Sequence, residues 1–412
     1  MSAARELLAR LEAVECPAFG ARRDARSQRS GSTMPRIVYA RAEGSVVTDV
    51  DGAEYIDLVS GFGAVAFGHR FAPLEAAVDD ARSRLTLALG DVYASPEKVE
   101  LCERLAALLP EPGARVLLGS SGADALTAAL KTCLLATGKP GVVAFEGAYH
   151  GLAHGPLAAC GLSAAFREPF AAHLLGPVRF APYPHESLGP TLEAVAAALA
   201  PGDVGAILVE PLLGRGGAVA PPADFLPALR ELADRHGALL VIDEVWTGLG
   251  RTGALLASTP VVPDLLCLGK ALGGGYPISA CIGRAEPMHA WATHGGSFVH
   301  TATHFGAPFA VAAANFVLAE LERGDWLARV TRLGERWRTP ARSHWTGRGL
   351  MIGVPLADAP SALRAMSRLA ARGVIVLTGG VHGNVLTLSP AYTIDEALLD
   401  GALALVEEET RG

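Results

Sequence analysis

Lysine is rare in this chain, and one of its four lysines occupies a position suited to covalent chemistry. Lys270 follows the apolar run 265–268 and precedes three consecutive glycines. Burial at a strand end disfavours the charged ammonium, and a neutral amine attacks carbonyl carbons. Lys270 is therefore a candidate nucleophile; the alternative is a lysine whose ammonium simply reaches solvent. The other three lie in polar segments that predict solvated side chains: Lys98, Lys131 and Lys139.

A second apolar run, 239–242, ends in the acid Asp243. A carboxylate at a buried strand end needs a cation or hydrogen-bond donors beside it. Against a heteroaromatic nitrogen, such an acid keeps the nitrogen protonated and makes the ring an electron sink. The alternative is an acid with a purely structural role, such as a helix cap.

The segment 120–124 joins a predicted strand to a predicted helix and contains Ser120, Ser121, Gly122, Ala123 and Asp124. Hydroxyl groups and free backbone N–H groups at a helix N-terminus form a site suited to phosphate. The same residue types also occur as ordinary helix caps, so this segment alone does not decide between the two.

Tyr149 lies in a loop flanked by Gly147 and Gly151, just after the apolar run 142–145. Its ring could stack on a flat ligand, or it could be a half-buried loop tyrosine. The histidines show no metal-ligand spacing, because His300 and His304 have no acidic neighbour close in sequence. We therefore expect no metal site.

Short apolar runs alternate with helical patterns through the middle of the chain, which predicts a mainly parallel sheet covered on both faces. The predicted strands are 115–118, 142–145, 206–209, 238–242, 265–268 and 278–282. The predicted helices are 97–109, 123–136 and 225–236. Asp51-Gly52 predicts a hairpin turn between 46–50 and 55–58. Beyond residue 306, strands predicted over 373–377 and 385–388 indicate a second, smaller α+β unit.

Composition narrows the class of protein. The chain has 412 residues, 50% of them hydrophobic, and a formal net charge of -7. That length supports more than one domain, and no basic block exists to bind a nucleic-acid backbone. The start of the chain lacks the apolar core of a signal peptide, and no apolar stretch is long enough to span a bilayer. With six dispersed cysteines read as free thiols, these features predict a cytoplasmic protein.

Taken together and in this order, these motifs resemble the class III aminotransferases, over about residues 46–394. The strongest match is 268–277, supported by 242–245 and 247–253. The resemblance implies a fold-type I enzyme that carries pyridoxal 5'-phosphate (PLP). The implied fold has a mainly parallel, seven-stranded type of sheet between helices, plus a smaller α+β domain. We assign 1–50 to a segment packing with the small domain, 51–305 to the large PLP-binding domain and 306–412 to the small domain.

The resemblance also implies roles for individual residues. Lys270 corresponds to the lysine that forms the Schiff base and moves the proton, and Asp243 to the partner of the ring nitrogen. Val245 and Tyr149 correspond to residues on the two ring faces, and Glu210 to a glutamate supporting the site from behind. The implied phosphate contacts are Ser121, Gly122, Ala123 and, from a neighbouring subunit, Thr303. That last role implies a homodimer with shared active sites.

Three positions depart from the pattern of the family. Trp246 replaces a glutamine that commonly follows Asp-Glu-Val. Arg215 stands where a glutamate is common, and Thr387 where an arginine often grips an α-carboxylate. Our hypothesis is that Arg215 supplies an alternative carboxylate clamp, because its planar fork bonds both oxygens. Otherwise Arg215 is a solvent-exposed side chain. Phe62 is a further candidate substrate residue.

We therefore expect a PLP-dependent aminotransferase acting on small amine and keto acid substrates. The changes at Arg215 and Thr387 favour a substrate whose amino group is distant from a carboxylate, or an amine that has no carboxylate. A racemase, an epimerase or an aminomutase on the same fold is an alternative, because these reactions diverge only in where the proton returns. A non-catalytic protein with the same fold is a further alternative, which the intact Lys270, Asp243 and Thr303 argue against.

Overall fold

The computed structural model describes residues 2–31, 33–174, 176–297 and 299–411. Its first elements are two helices and three antiparallel strands: α1 (Ala3–Glu12), α2 (Pro17–Ser30), β1 (Tyr39–Glu43), β2 (Val46–Asp49) and β3 (Glu54–Asp57). A tight turn joins β2 to β3, which confirms the hairpin prediction. Gly52 in that turn has a φ of 88°, a conformation that favours glycine.

Strands and helices then alternate through the central part of the chain. The strands are β4 (Arg115–Gly119), β5 (Gly141–Phe145), β6 (Val178–Ala181), β7 (Val204–Val209), β8 (Leu239–Asp243), β9 (Leu265–Leu268) and β10 (Ser279–Gly283). The helices are α3 (Ser60–Gly63), α4 (Ala72–Arg84), α5 (Pro96–Ala106), α6 (Gly122–Thr137), α7 (His154–Leu157), α8 (Ala164–Arg167), α9 (Gly189–Leu199), α10 (Phe225–His236) and α11 (Ala285–His289). Short 3-10 helices cover Glu168–His173, Lys270–Gly273 and Ala290–Gly296.

The central strands form one seven-stranded sheet in the order β4-β10-β9-β8-β7-β5-β6. The residues of β7, β9 and β10 are buried throughout, as expected for strands covered by helices on both faces. This arrangement confirms the predicted α/β class. Apolar runs predict no strand at β6, which lies at an edge of the sheet and is mostly half-buried.

The direction of the strands brings the chemically important segments to one edge of the sheet. β10 is antiparallel to both β4 and β9, and the pairs among β9, β8, β7, β5 and β6 are parallel. β4 therefore runs in the same direction as β9, and six strands present their carboxyl ends together. Ligands of α/β proteins bind at such an edge.

The carboxyl-terminal part forms an antiparallel sheet flanked by helices and adds one strand to the sheet of β1, β2 and β3. Its helices are α12 (Pro308–Arg323), α13 (Trp326–Glu335), α14 (Ala359–Ala371) and α15 (Glu396–Thr410), with a 3-10 turn at Pro340–Arg342. Its strands are β11 (Thr346–Arg348), β12 (Met351–Pro355), β13 (Val374–Ile375), β14 (Leu377–Gly379) and β15 (Val385–Leu388). The order within the antiparallel sheet is β11-β12-β15-β14.

The prediction of one strand over 373–377 is wrong, because the chain changes sheets within it. β13 pairs in parallel with β3, whereas β14 pairs with β15. Apolar content predicts an extended chain, but the choice of partner depends on strands distant in sequence. The pairing of β3 with β13 also joins the first strands to the carboxyl-terminal part, and the three-domain division stays a proposal.

No helix among the described residues is long and apolar enough to cross a membrane. The six cysteines are free thiols. Cys16 is exposed, whereas the thiols of Cys133, Cys160, Cys267 and Cys281 are buried.

A buried arginine ties three distant segments of the fold together. The guanidinium of Arg251 donates to the carbonyl oxygens of Pro390 at 2.6 Å, Leu350 at 3.2 Å and Gly63 at 3.4 Å. It also lies 4.7 Å from the centre of the Tyr392 ring. Burial lowers the pKa of Arg251, and the neighbouring Tyr392 opposes this shift.

We expect Arg251→Met to lower the free energy of unfolding by about 3 kcal/mol or more, because three buried carbonyl groups lose their donor. Urea titration at a fixed protein concentration measures this quantity. The matched control is Arg323→Met, on an exposed side chain paired with Glu320 at 3.5 Å, where the change should stay within about 0.5 kcal/mol. Equal losses in the two variants would contradict the role given to Arg251.

Candidate active site

A cavity of about 200 Å³ lies at the edge of the sheet where the strands end. Seven residues predicted to contact cofactor or substrate line it: Gly122, Ala123, Tyr149, Arg215, Asp243, Val245 and Lys270. These side chains follow or end β4, β5, β7, β8 and β9, so the parallel sheet is what brings them together. We therefore take this cavity as the candidate active site.

Lys270 enters the cavity from a strained backbone position. Its φ of 36° is in the left-handed region, which a residue with a side chain rarely adopts. Burial lowers the pKa of Lys270 to about 8, against the attraction of Asp243 and Glu210. The Nζ atom lies 4.7 Å from the centre of the Trp246 ring. A larger share of Lys270 is thus the neutral, nucleophilic amine near neutral pH than of an exposed lysine.

Asp243 is buried, and its two oxygens are held by separate donors. Oδ1 accepts the backbone N–H of Val245 at 2.9 Å, and Oδ2 lies 2.8 Å from Nδ1 of His150. The Nε2 atom of His150 is buried and has no hydrogen-bond partner among the described residues. These contacts fix the plane of the Asp243 carboxyl group, and each oxygen keeps a second lone pair that can accept a further hydrogen bond.

His150 is a site residue that the sequence analysis did not single out. It lies next to Tyr149, after β5, and β7 separates β5 from β8 in the sheet. The only available signal was its place beside Tyr149 between two glycines. That signal carries no information about contact with Asp243, which arises from the order of the strands.

The N-terminus of α6 opens into the same cavity. Ser121 caps this helix, and the Asp124 carboxylate accepts the N–H groups of Ser120 at 3.0 Å and Ser121 at 2.9 Å. The N–H groups of Gly122 and Ala123 precede the first bond within the helix and remain available. A Cβ atom at Gly122 would lie 2.8 Å from Cγ1 of Val245, so glycine is required for this close approach.

Arg215 and the ring of Tyr149 line one side of the cavity. The Arg215 guanidinium lies 4.7 Å from the centre of the Tyr149 ring and 5.8 Å from that of Phe62. Arg215 is half-buried, which argues against a freely solvated side chain. Phe62, itself 41% exposed, meets Trp246 edge-on at 6.3 Å. Phe62 is therefore a neighbour of Arg215 and Trp246 but is not among the residues that line the cavity, and its predicted contact with substrate stays a prediction.

Trp246 fills the space that adjoining glycines leave open. A Cβ atom at Gly214 would lie 2.5 Å from Cε3 of the indole, and one at Gly63 would lie 2.7 Å from Nε1. The indole N–H is buried and has no acceptor among the described residues. The indole ring thus packs beside Lys270, at the position where the family commonly has a glutamine.

Glu210 supports the cavity through backbone donors. Its Oε1 accepts the N–H of Tyr149 at 2.8 Å, and its Oε2 accepts the N–H of Gly214 at 2.9 Å. Burial raises the pKa of Glu210 to about 7, with Asp243 adding to the rise and His150 opposing it. Glu210 thereby joins the loop that carries Tyr149 to the loop that carries Arg215.

Besides Phe62, three positions that the sequence singles out lie apart from the cavity lining. Ser121 is exposed and its hydroxyl caps α6, and Thr303 is exposed on a separate segment. Thr387 is buried in β15, where its hydroxyl donates to the carbonyl oxygen of Leu377 at 3.3 Å. Position 387 therefore offers no cation to a substrate, and the predicted roles of Ser121 and Thr303 stay predictions.

The sequence matches a family model described as aminotransferase class-III over residues 27–408. The acetylornithine aminotransferase of Mycobacterium bovis is 39% identical over 385 residues, with 90% of each chain covered. The 5-aminovalerate aminotransferase of Pseudomonas putida is 33% identical over 415 residues, covering 92% of this chain and 96% of the relative.

Among solved structures, the fold is similar to that of an amine transaminase from an uncultivated Pseudomonas species, determined in its PLP-bound form. The TM-score is 0.79 at 28% sequence identity, covering 91% of this chain and 95% of the other. The similarity therefore extends over nearly the whole chain in both sequence and structure.

Proposed function

The chain belongs to the class III aminotransferases, and on that premise we propose that it moves an amino group distant from any α-carboxylate, or one on an amine without a carboxylate. The acceptor is a keto acid. The observation that carries this proposal is the set of cations in the cavity. Arg215 is the one guanidinium among the described residues that line it, and Thr387 occupies the position where a family arginine grips an α-carboxylate.

The enzyme depends on PLP, as its family does, and the donor set of the cavity fits that group. The buried Asp243 carboxylate suits a protonated ring nitrogen, and the available N–H groups of Gly122 and Ala123 suit a phosphate. When bound, PLP supplies an aldehyde carbon for an amine and a ring that takes up electron density. Tyr149 and Val245 are proposed to contact the two faces of that ring.

The remaining roles belong to groups of the chain itself. Lys270 Nζ would be the point of covalent attachment for the aldehyde carbon, with loss of water, and as a free amine it would hold the proton taken from the reacting carbon. Asp243 would hold the ring nitrogen in its charged form, and the 2.8 Å contact with His150 would keep Asp243 in place. The Trp246 ring, 4.7 Å from Lys270 Nζ, is proposed to exclude water from that side of the amine. The family membership and the relatives' names support transamination over the racemase, epimerase or aminomutase alternatives.

The names of the relatives agree with a distant amino group. One is named for acetylornithine and another for 5-aminovalerate, whose amine and carboxylate lie at opposite ends of the chain. We propose that Arg215 holds such a carboxylate. Its guanidinium has no carboxylate partner among the described residues and instead lies over the Tyr149 ring, at the wall of the cavity.

A panel of donors tests the proposal. The holoenzyme is mixed in turn with 5-aminovalerate, a simple alkylamine and an α-amino acid, and the cofactor absorbance is followed through the first half-reaction. We expect transfer from the first two donors to be faster than transfer from the α-amino acid. A preference for the α-amino acid would overturn the proposal.

The same panel tests whether Arg215 binds the carboxylate of the substrate, because it contains donors with and without a carboxylate. In Arg215→Ala, KM for 5-aminovalerate should rise about tenfold or more, because a charge-assisted pair is lost. KM for the alkylamine should stay unchanged, since this donor has no carboxylate. An unchanged KM for every carboxylate-bearing substrate would end the clamp hypothesis.

We also propose a cytoplasmic homodimer with shared active sites. Thr303 is exposed and does not line the cavity of its own chain, which leaves it free to reach the phosphate of a second copy. A light-scattering mass equal to one chain, with PLP bound, would contradict the dimer.

A further inference from the structure

A second cavity, of about 340 Å³, adjoins the first and shares Arg215 with it. Its walls come from α2, from the start of α14, from the end of β14 and from the loop 380–383 that precedes β15. Four arginines contribute to its lining: Arg22, Arg26, Arg29 and Arg215. No aspartate or glutamate is among the described residues that line it. We refer to it as the arginine cavity.

The arginine cavity owes its charge to one face of α2. Arg22, Arg26 and Arg29 are spaced by four and then three residues, so they lie on one side of the helix. Like charges at this spacing destabilise a helix, and no acid on that face offsets them. Arg23 lies on another face and behaves differently, since it pairs with Glu12 at 3.2 Å and Glu15 at 3.9 Å.

Burial distinguishes this cluster from an ordinary solvated helix face. Arg22 and Arg29 are exposed at the rim, but Arg26 and Arg215 are half-buried. Burial lowers the pKa of Arg26, and the charges of Arg22, Arg215 and Arg29 lower it further. The positive charges therefore repel one another in a partly dry space, and an anion placed among them would relieve that repulsion.

Arg215 connects the two cavities. It faces Tyr149 on the side of the active site, and it also lines the arginine cavity beside α2. A linear substrate can therefore place its reacting end at Lys270 and its far end among the arginines of α2.

We propose that the arginine cavity binds an oxyanion, a carboxylate or a phosphate, at the end of the substrate far from the reacting nitrogen. This inference rests on the proposed function and names the substrate class more closely. The enzyme then acts on amines or keto acids that carry a remote anionic group beyond the one held by Arg215. The Arg26 guanidinium is the central contact, because it is half-buried between the other arginines.

Equilibrium binding to the holoenzyme tests this inference without any turnover. The probes are glutarate, with two carboxylates, and butyrate, which has one fewer carboxylate on the same carbon chain. Calorimetry should give a Kd for glutarate about tenfold or more below that for butyrate, because a charged pair is added. In Arg26→Gln the ratio of the butyrate Kd to the glutarate Kd should fall to about threefold or less.

The matched control is Arg23→Gln, on the same helix but outside the cavity, where the ratio should remain that of the wild type. A ratio near one in the wild type would overturn the inference, as would an equal loss in Arg23→Gln and Arg26→Gln. A third probe, 4-phosphonobutyrate, separates the two sources of the oxyanion. If 4-phosphonobutyrate binds more tightly than glutarate, the oxyanion is a phosphate. If it binds more weakly, the oxyanion is a carboxylate.

The donor panel and the binding experiment fail independently. If no donor with an amino group distant from an α-carboxylate is used, but glutarate still binds more tightly than butyrate, the proposed function is wrong and the anion site in the arginine cavity still stands. Transfer from such amines without any glutarate preference would overturn the anion site alone.

Discussion

Replacing Lys270 with alanine is expected to lower kcat by about 10³-fold or more and to abolish covalent attachment of the cofactor. The variant loses the amine that binds the aldehyde carbon, together with the base that moves the proton at the reacting carbon. Two measurements check this result. Steady-state kinetics give kcat, and borohydride reduction followed by peptide mass analysis identifies the lysine that carries the cofactor.

The chain offers a close control, because only three other lysines exist. Lys131→Ala removes an exposed amine from α6, far along the helix from its N-terminus, and should leave kcat and the labelled peptide unchanged. Borohydride labelling of a peptide that lacks Lys270, or full activity in Lys270→Ala, would contradict the assignment of this residue.

Asp243→Asn is expected to lower kcat by about 10²- to 10³-fold while leaving the protein folded. The amide nearly matches the carboxyl group in size, so the contact with the Val245 N–H can persist. Its neutral oxygen, however, stabilises a protonated ring nitrogen far less than a carboxylate does. The rate of the first half-reaction, followed by cofactor absorbance with 5-aminovalerate, measures the effect.

Glu244→Gln supplies the comparison, since Glu244 is the next residue and equally buried. Its carboxylate accepts from the Thr247 hydroxyl at 2.5 Å and from the Ser258 N–H at 2.7 Å, and it does not line the active-site cavity. We expect this variant to lose stability but to keep its half-reaction rate. Equal slowing in the two variants would show that any lost buried charge is sufficient, and the proposed role of Asp243 would be wrong.

The sequence predicted the part of the site that depends on strand ends. Lys270 and Asp243 both follow continuous apolar runs, and parallel strands necessarily bring such ends to one edge. Local pattern was also enough for the hairpin at Gly52 and for α6, whose cap and apolar spacing lie within a few residues of each other. These features need no knowledge of distant contacts.

The remainder of the site depends on contacts between residues far apart in sequence. His150 meets Asp243 because β5 and β8 both flank β7, an order that local periodicity does not encode. Arg26 reaches the neighbourhood of Arg215 because α2 packs on α14, although α2 itself has an ordinary charged sequence. The left-handed φ of Lys270 is likewise set by the turn after β9 rather than by residue type.

The parallel pairing of β3 with β13 has a consequence for synthesis on the ribosome. Asp57 leaves the exit tunnel roughly 300 residues before its partner Ile375, which at about 5–20 residues per second is a delay of roughly 15–60 s. During that interval the outer edge of β3 has unpaired N–H and C=O groups, open to pairing with another nascent chain. Early association between neighbouring polypeptides is therefore a hazard that this topology carries until translation is nearly complete.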